Sequence, residues 1–363
     1  RRPTASAVDT PSVRSSAVSG QVRLRSAEGR WVLAVTVLGS GMAFLDGTVV
    51  HIALPTIGRD LDASFGGLSW IANGYLVTLS ALMLVGGAVG DRVGRRRTYL
   101  GGAVAFAVAS LLCAVAPSVA ALVGARVVQG VAGAFLVPGS LALIQASFHP
   151  DDRSAAIGAW SGLAGVTTAI GPFLGGWLVE TASWRWVFLL NLPLAAVVVV
   201  AGGRHLPESR DPTATGRPDI MGGLLGTAGL ALATYGLIER DLLTGLTGLV
   251  VVAAFLVVEA RVPTPMLPLG LFRSRTFSGA NAVTFAVYGA LGAVLFMLSL
   301  VLQQAMGYSP LAAGTATVPL TLVMLALSAR SGALAQRIGA RVPMTVGPSL
   351  VAVGMLLMRR IDA

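Results

Sequence analysis

Apolar stretches of about 17–25 residues, each long enough to cross a ~30 Å hydrocarbon layer, recur along this chain between short polar or Pro/Gly breaks. The breaks predict helical spans near residues 31–53, 68–89, 99–116, 119–147, 156–178, 186–203, 221–238, 243–259, 276–302, 311–331 and 342–358. Inside lipid every backbone amide must be satisfied within its own segment. Eleven such runs therefore predict an all-α polytopic membrane protein.

The polar positions between the spans orient them. With the N-terminus inside, about 20 of the 26 basic residues, all of them arginine, fall on the cytoplasmic side and about five on the other, as the positive-inside rule requires. Residues 1–30 carry Ser, Arg and Ala without an apolar core, which predicts a disordered cytoplasmic tail rather than a secretory signal.

Two cytoplasmic loops repeat one pattern. Gly87-x-x-x-Asp91-Arg92-x-Gly94-Arg95-Arg96 follows span two, and Gly332-x-x-x-Gln336-Arg337-x-Gly339-x-Arg341 follows span ten. If each joins the second and third helices of a six-helix unit, the chain divides into five parts: the tail, a bundle over 31–203, a cytoplasmic loop over 204–220, two inserted helices over 221–259, and the start of a second bundle over 260–363. Repeated halves are a transporter signature. Six plus two plus six spans would make fourteen, and the chain, which starts without Met, stops after the eleventh; it reads as a piece of a longer parent.

Composition sharpens the class. Only 12% of residues are charged and mean hydropathy is +0.78, which excludes a soluble fold. The net charge of +10 is dispersed between spans, without the aromatic platforms of a nucleic-acid groove. The single cysteine, Cys113, lies in an apolar run, and the three histidines are scattered, so neither a disulfide nor a metal site is expected. Neither a phosphate-binding glycine loop followed by Lys nor a nucleophile–base constellation occurs, so the chain is not expected to be an enzyme or an ATP-driven pump.

The candidate chemistry centres on Asp46. A carboxylate within a span costs several kcal/mol unless it is protonated, paired or wet. Asp46 lies ~24 Å along its helix from the inner surface, and Arg126 ~10 Å below the outer one, so both fall in the outer half at similar depth. Arg126 cannot shed its proton and needs an acceptor, for which Asp46 is the nearest candidate in depth. A cation nearby favours the charged carboxyl and apolar surroundings the neutral one; alternation between the two would suit a proton-coupled carrier. His51, five residues on, is a candidate second titrating group. Arg126, Gln129, Gly130 and Gly133 project from one helix face, with glycines that permit a close neighbour. In the 87–97 loop, Gly87, Asp91, Arg92, Gly94, Arg95 and Arg96 suit a gating latch pairing across the two bundles. Gly171, Pro172 and Gly175 suit a bent, closely packed helix. Candidate linings for a cavity between the bundles are Trp70, Asn73, Tyr75, Gln145, Asn281 and Phe285.

From residue 31 onward these motifs resemble the major facilitator superfamily, and within it the fourteen-helix drug:proton antiporter branch. The stretch Leu45-Asp46-Gly47-Thr48-Val49-Val50-His51-Ile52-Ala53-Leu54-Pro55 looks like the branch's first-helix motif, with His51 where Asn is usual. The 87–97 loop looks like motif A, Arg126 to Gly133 like motif B, and Gly162 through Gly171-Pro172-x-x-Gly175-Gly176 like the antiporter motif C. Trp184-Arg185-Trp186-x-Phe188-x-x-Asn191-x-Pro193 and Gly307-Tyr308-Ser309-Pro310-x-x-Ala313-Gly314 also resemble stretches of the branch. The resemblance implies a monomeric, multi-pass protein of the bacterial inner membrane that exports small hydrophobic or amphipathic organic compounds, such as drugs or antibiotics. It also implies no cofactor, with a proton gradient as the energy source. An importer or metabolite facilitator of the same superfamily, or a polytopic protein without transport activity, are the alternatives.

Overall fold

The computed structural model describes residues 21–211, 219–263, 265–320 and 341–358, with scattered positions between 321 and 340. Its helices are α1 (Ala27–Asp60), α2 (Phe65–Val93), α3 (Arg95–Ala114), α4 (Val119–Ser147), α5 (Pro150–Thr181), α6 (Trp186–Leu189), α7 (Asn191–His205), α8 (Ile220–Ile238), α9 (Leu242–Glu259), α10 (Arg275–Leu300), α11 (Pro310–Ala316) and α12 (Arg341–Met358). Nine segments among the described residues are long and apolar enough to cross a membrane, α6 and α7 counting as one. An isolated β-bridge joins Val22 to Phe148.

Local sequence sets the helix starts. Ser26, Ser64, Ser118, Asp219, Asp241, Ser274 and Ser309 each accept a hydrogen bond from an amide of the first turn that has no intrahelical partner. At Asp241, outside the spans, the Thr244 hydroxyl and amide hold the carboxyl below its ordinary range. Polar residues within spans satisfy themselves locally: the hydroxyls of Thr36, Ser40 and Ser140 donate to carbonyls one turn back.

Several spans differ from the hydropathy reading, three of them for reasons that involve proline or a turn. Helix α1 runs to Asp60 although Pro55 lies inside it. Span six breaks at Leu190, where Pro193 has no N–H to offer the Leu189 carbonyl. Span ten is interrupted by a turn at Thr317 after α11, and half of its remainder lies outside the described residues. Part of the tail is also ordered, contrary to expectation. The Val22 amide donates to Ser147 O at 2.8 Å, the Leu24 amide to Asp152 at 3.0 Å, and α1 begins at Ala27. Residues 1–20 and 212–218, together with Gly332, Gln336 and Arg337 of the second loop copy, lie outside the described residues.

Helix α1 is the centre of the packing, touching α4, α5, α7, α10 and α11, while α3 and α4 close the bundle behind it. Helices α8 and α9 form a hairpin that leans on α2 through α8. Two apolar clusters fill the interior. One gathers Val32, Met42, Tyr75, Tyr99, Phe106 and Phe148, the other Val49, Leu54, Ile57, Ile71, Trp184 and Phe188. Large apolar side chains such as Leu224, Leu237, Leu243 and Val250 cover the outside, where a lipid solvent imposes no penalty on them.

Candidate functional site

Asp46 lies on α1 where the two apolar clusters meet, and only 1% of it is exposed. Arg126 of α4 is equally buried and donates from Nη1 to Asp46 Oδ2. Gln129 Nε2 and Asn191 Nδ2 donate to the other oxygen, Oδ1, at 2.8 and 3.0 Å. Arg126 also donates from Nε to the Ile71 carbonyl at 3.0 Å and from Nη1 to Gln129 Oε1 at 2.7 Å. Ser110 Oγ on α3 receives Gln129 Nε2 at 2.9 Å and Asn191 Nδ2 at 3.2 Å. Tyr75 lies under the guanidinium, 4.3 Å from ring centre to Cζ, and its hydroxyl donates to Ala43 O at 2.8 Å. Five helices thus converge on one ion pair.

The chemistry follows from that closure. Removing two charges from water costs several kcal/mol per ion, and the pair recovers it only with good geometry and with its remaining polar atoms bonded. Here Asn191, Gln129, Ser110 and the Ile71 carbonyl supply those bonds. Asn191 and Ser110 were not among the site residues read from the sequence. Asn191 carried a signal, an amide two residues before Pro193 in an apolar run; Ser110 carried almost none. Gln129 lies with Arg126 on one face as predicted, and Gly130 and Gly133 on that face meet α2. A Cβ at Gly130 would come 2.0 Å from Thr78 Oγ1 and 2.3 Å from Tyr75 O.

Prolines open a second set of contacts. Pro55 cannot donate to the carbonyl four residues back, that of His51, and Ser299 Oγ of α10 donates to it at 2.7 Å. Next to it Gln303 Nε2 donates to Ile52 O at 2.9 Å from a π-helical turn over Val301–Ala305. Pro172 likewise frees Thr168 O, which accepts from Thr48 Oγ1 at 3.3 Å across the α1–α5 contact. A small cavity, about 30 Å³, lies at this seam between Thr48, His51, Pro172, Leu298, Ser299 and Thr317. His51 packs edge-on to Phe296, and its Nδ1 is buried without a hydrogen-bond partner.

Motif-like glycines divide by location. Gly171 and Gly175 lie against Thr48 and Val49 of α1, and Gly176 against the Pro310 carbonyl of α11; a Cβ at any of the three would collide. Gly162 does not belong with them: it is exposed, with nothing within 4 Å of a Cβ. Gly87 meets only ordinary contact with Pro138, and the close approach of α2 to α4 is made instead by Gly86, whose Cβ would lie 2.2 Å from Ala134 O. That carbonyl is the one freed by Pro138.

The 87–97 loop does not pair across to α10–α12 in the contacts described. Asp91 bonds Arg95 within the loop, at 2.7 Å, and Arg92 Nη1 donates to Ala88 O at 2.9 Å. Gly94 turns the chain at φ +132°, where a side chain would strike Glu208. Glu208, unmarked by any sequence spacing, receives the amides of Arg96 and Arg97 at 3.1 and 3.3 Å and so caps α3, whose own N-cap Gly94 has no side chain to do so. Ser209 O accepts the Arg95 amide, the Asp211 amide donates to Asp91 O, and Arg96 reaches Gly203 O. The segment after α7 is therefore stitched into the α2–α3 connection. Glu208→Ala should expose the Arg96 and Arg97 amides to hydrogen exchange and cost about 1 kcal/mol; unchanged protection of that peptide would refute the capping role.

The six candidate cavity linings are not brought together. Trp70 packs on Tyr235 of α8, and Tyr75 is sealed beneath Arg126. Asn73 is half-buried on α2, Gln145 and Asn281 are exposed or nearly so, and Phe285 is 83% exposed on α10. None of the six lines the cavity at His51. Among the described residues no group of three or more His, Cys, Asp or Glu side chains could hold a metal ion.

Comparison with known proteins places this arrangement in a family. The chain is 37% identical to the tetracenomycin C resistance and export protein of Streptomyces glaucescens over 92% of its own length and 63% of that protein's. It is 36% identical to the methylenomycin A resistance protein of Bacillus subtilis, over 92% of the chain and 73% of the relative, and 34% identical to the multidrug resistance protein Stp of Mycobacterium tuberculosis, over 90% and 62%. The chain thus spans a little under two thirds of the length of the first of these relatives. In fold it is similar to a peptide transporter POT solved with sulfate, at TM-score 0.64 and 15% identity, covering 88% of the chain and 72% of that structure. It is also similar to the partially occluded inward-open xylose transporter XylE of E. coli, at TM-score 0.55 and 14% identity, covering 85% and 74%. The family description of the Major Facilitator Superfamily matches residues 36–358, and this chain belongs to that superfamily.

Proposed function

We propose that the protein is a proton-coupled secondary active exporter of small hydrophobic or amphipathic organic compounds, antibiotics among them, acting as a multi-pass protein of the bacterial inner membrane with its N-terminus cytoplasmic. In this reading α1–α7 form the first bundle, α8 and α9 the insertion, and α10 onward the second bundle. The observation that carries it is the Asp46–Arg126 pair sealed inside five helices. Arg126 stays charged at any physiological pH. A proton arriving on Asp46 leaves that charge without its counter-ion in an apolar interior, and the guanidinium must move or find another acceptor. Because Arg126 also holds the Ile71 carbonyl of α2 and Gln129 of its own helix, its movement is felt by helices on both sides of α1. Antibiotic resistance and export among the relatives supports the direction and substrate class.

Asp46→Asn keeps the shape of the side chain and removes its titration. In everted vesicles under an imposed pH gradient, proton-driven substrate movement should fall to background in this variant, while substrate binding is retained. Transport at the wild-type rate would overturn the coupling role of Asp46; uptake into cells in the wild type, rather than efflux, would overturn export.

A further inference from the structure

The two-helix hairpin carries a carboxylate pair that the ion-pair cluster does not use. Asp219 caps α8 with one oxygen, Oδ1, which accepts the Gly222 amide at 2.7 Å. Glu259 closes α9, is only 2% exposed, and receives the Leu267 amide on Oε2 at 2.8 Å. The remaining oxygens, Asp219 Oδ2 and Glu259 Oε1, are buried and have no hydrogen-bond partner. Both crowd the bare face of Gly222. A Cβ built there would lie 2.5 Å from Glu259 Oε1 and 2.8 Å from Asp219 Oδ2. The two oxygens are therefore no more than about 5 Å apart, a separation at which like charges strongly disfavour joint ionisation.

No cation relieves them among the described residues. Neither carboxylate takes part in an ion pair there. Helix α2 presents Leu82 and Val85 to Gly223; its charged residues Asp91 and Arg92 are engaged with Arg95 and with the Ala88 carbonyl. Between Glu259 and Leu267 the one charged side chain is Arg261, which is exposed and pairs with neither acid. Helix α8 carries no charged residue, and α9 none besides Glu259.

We propose that Asp219 and Glu259 together bind one proton, held between Glu259 Oε1 and Asp219 Oδ2, as a proton site separate from Asp46. The proton turns a like-charge contact into an O–H···O⁻ hydrogen bond, the arrangement by which paired carboxylates share a site. It fastens the end of α9 to the start of α8 and, through the Leu267 amide, ties down the segment that leads to α10. This assignment does not depend on the direction of transport or on the role of Asp46.

The test is a pH titration of the protein in liposomes by infrared difference spectroscopy, with Glu259→Gln and Asp219→Asn. Both amides suit the fold: Asn caps a helix as well as Asp does, and the side-chain amide introduced by Glu259→Gln can donate the hydrogen bond that the proton supplies. The wild type should keep a protonated-carboxyl C=O band to higher pH than a solvent-exposed carboxylic acid does, a band that Glu259→Gln abolishes, that Asp219→Asn moves to lower pH, and that Asp46→Asn leaves in place. The wild-type melting temperature should fall as pH rises through loss of that proton, since the native state binds it more tightly than the unfolded chain does; Glu259→Gln should be flat over the same range. Loss of the wild-type band at the pH where a solvent-exposed carboxylic acid ionises, its unchanged persistence in both amide variants, or its removal by sodium at constant pH, which would mark a metal-cation site, each overturns the proposal.

Discussion

Arg126→Gln should destabilise the protein by about 3–5 kcal/mol, the range for breaking a buried ion pair from one side, because the Asp46 carboxylate is left in an apolar interior without its counter-ion. The loss has four parts in the structure: the Nη1 bonds to Asp46 Oδ2 and to Gln129 Oε1, the Nε bond to Ile71 O, and the stacking of the guanidinium on Tyr75. A double-mutant cycle separates charge from packing. In Asp46→Asn/Arg126→Gln no uncompensated charge remains, and the amides can still bond to Gln129, Asn191 and Ser110, so most of the deficit should be recovered. Unfolding followed by tryptophan fluorescence in detergent, for the two single variants and the double, reads the coupling directly. A double variant as unstable as Arg126→Gln alone would locate the loss in packing and not in the buried charge.

The second large effect concerns helix contact. Gly130→Ala should cost about 1–3 kcal/mol or more, because its new methyl would stand 2.3 Å from the Tyr75 carbonyl, which cannot swing aside. Separation of α2 from α4 would also stretch the Thr78 Oγ1 bond to Val127 O, now 3.0 Å. Gly162→Ala is the internal control. Position 162 is helical and exposed with open space around it, so Ala there should gain about 0.5–1 kcal/mol from backbone entropy alone. Melting curves of the two variants should move in opposite directions; a shared direction would show that helix contact does not decide the difference.

The spans were legible because the solvent is lipid: every crossing must be apolar for about twenty residues and charged or broken at its ends, a signal carried by composition alone. The meeting of Asp46 with Arg126 was legible for a related reason, since ions in oil must find each other and only a few depths allow it. Neutral polar residues hide better. Thr36 and Ser40 satisfy themselves on their own helix, Asn191 and Ser110 do not, and nothing in the spacing separates the two kinds. Glycine spacing failed for the same want of a third dimension. Gly162 and Gly171 look alike in sequence, but one faces open space and the other Thr48. The end of α1 was misplaced because Pro55 reads as a stop, while its cost is met by a serine nearly 250 residues away. Glu208, an acid in a polar connection, acquires its role only when the chain returns to α3.

The prolines inside α1 and α5 leave carbonyls that their own helices cannot satisfy, and each is taken by a hydroxyl on a neighbour. Such a joint has a property that an ordinary apolar seam lacks. When α10 withdraws from α1, the oxygen of His51 loses its donor and has no substitute within its own ladder, so a water molecule must arrive as Ser299 departs. Parting of these helices is thereby bound to wetting of the gap, and a dry open state carries the penalty of a bare acceptor.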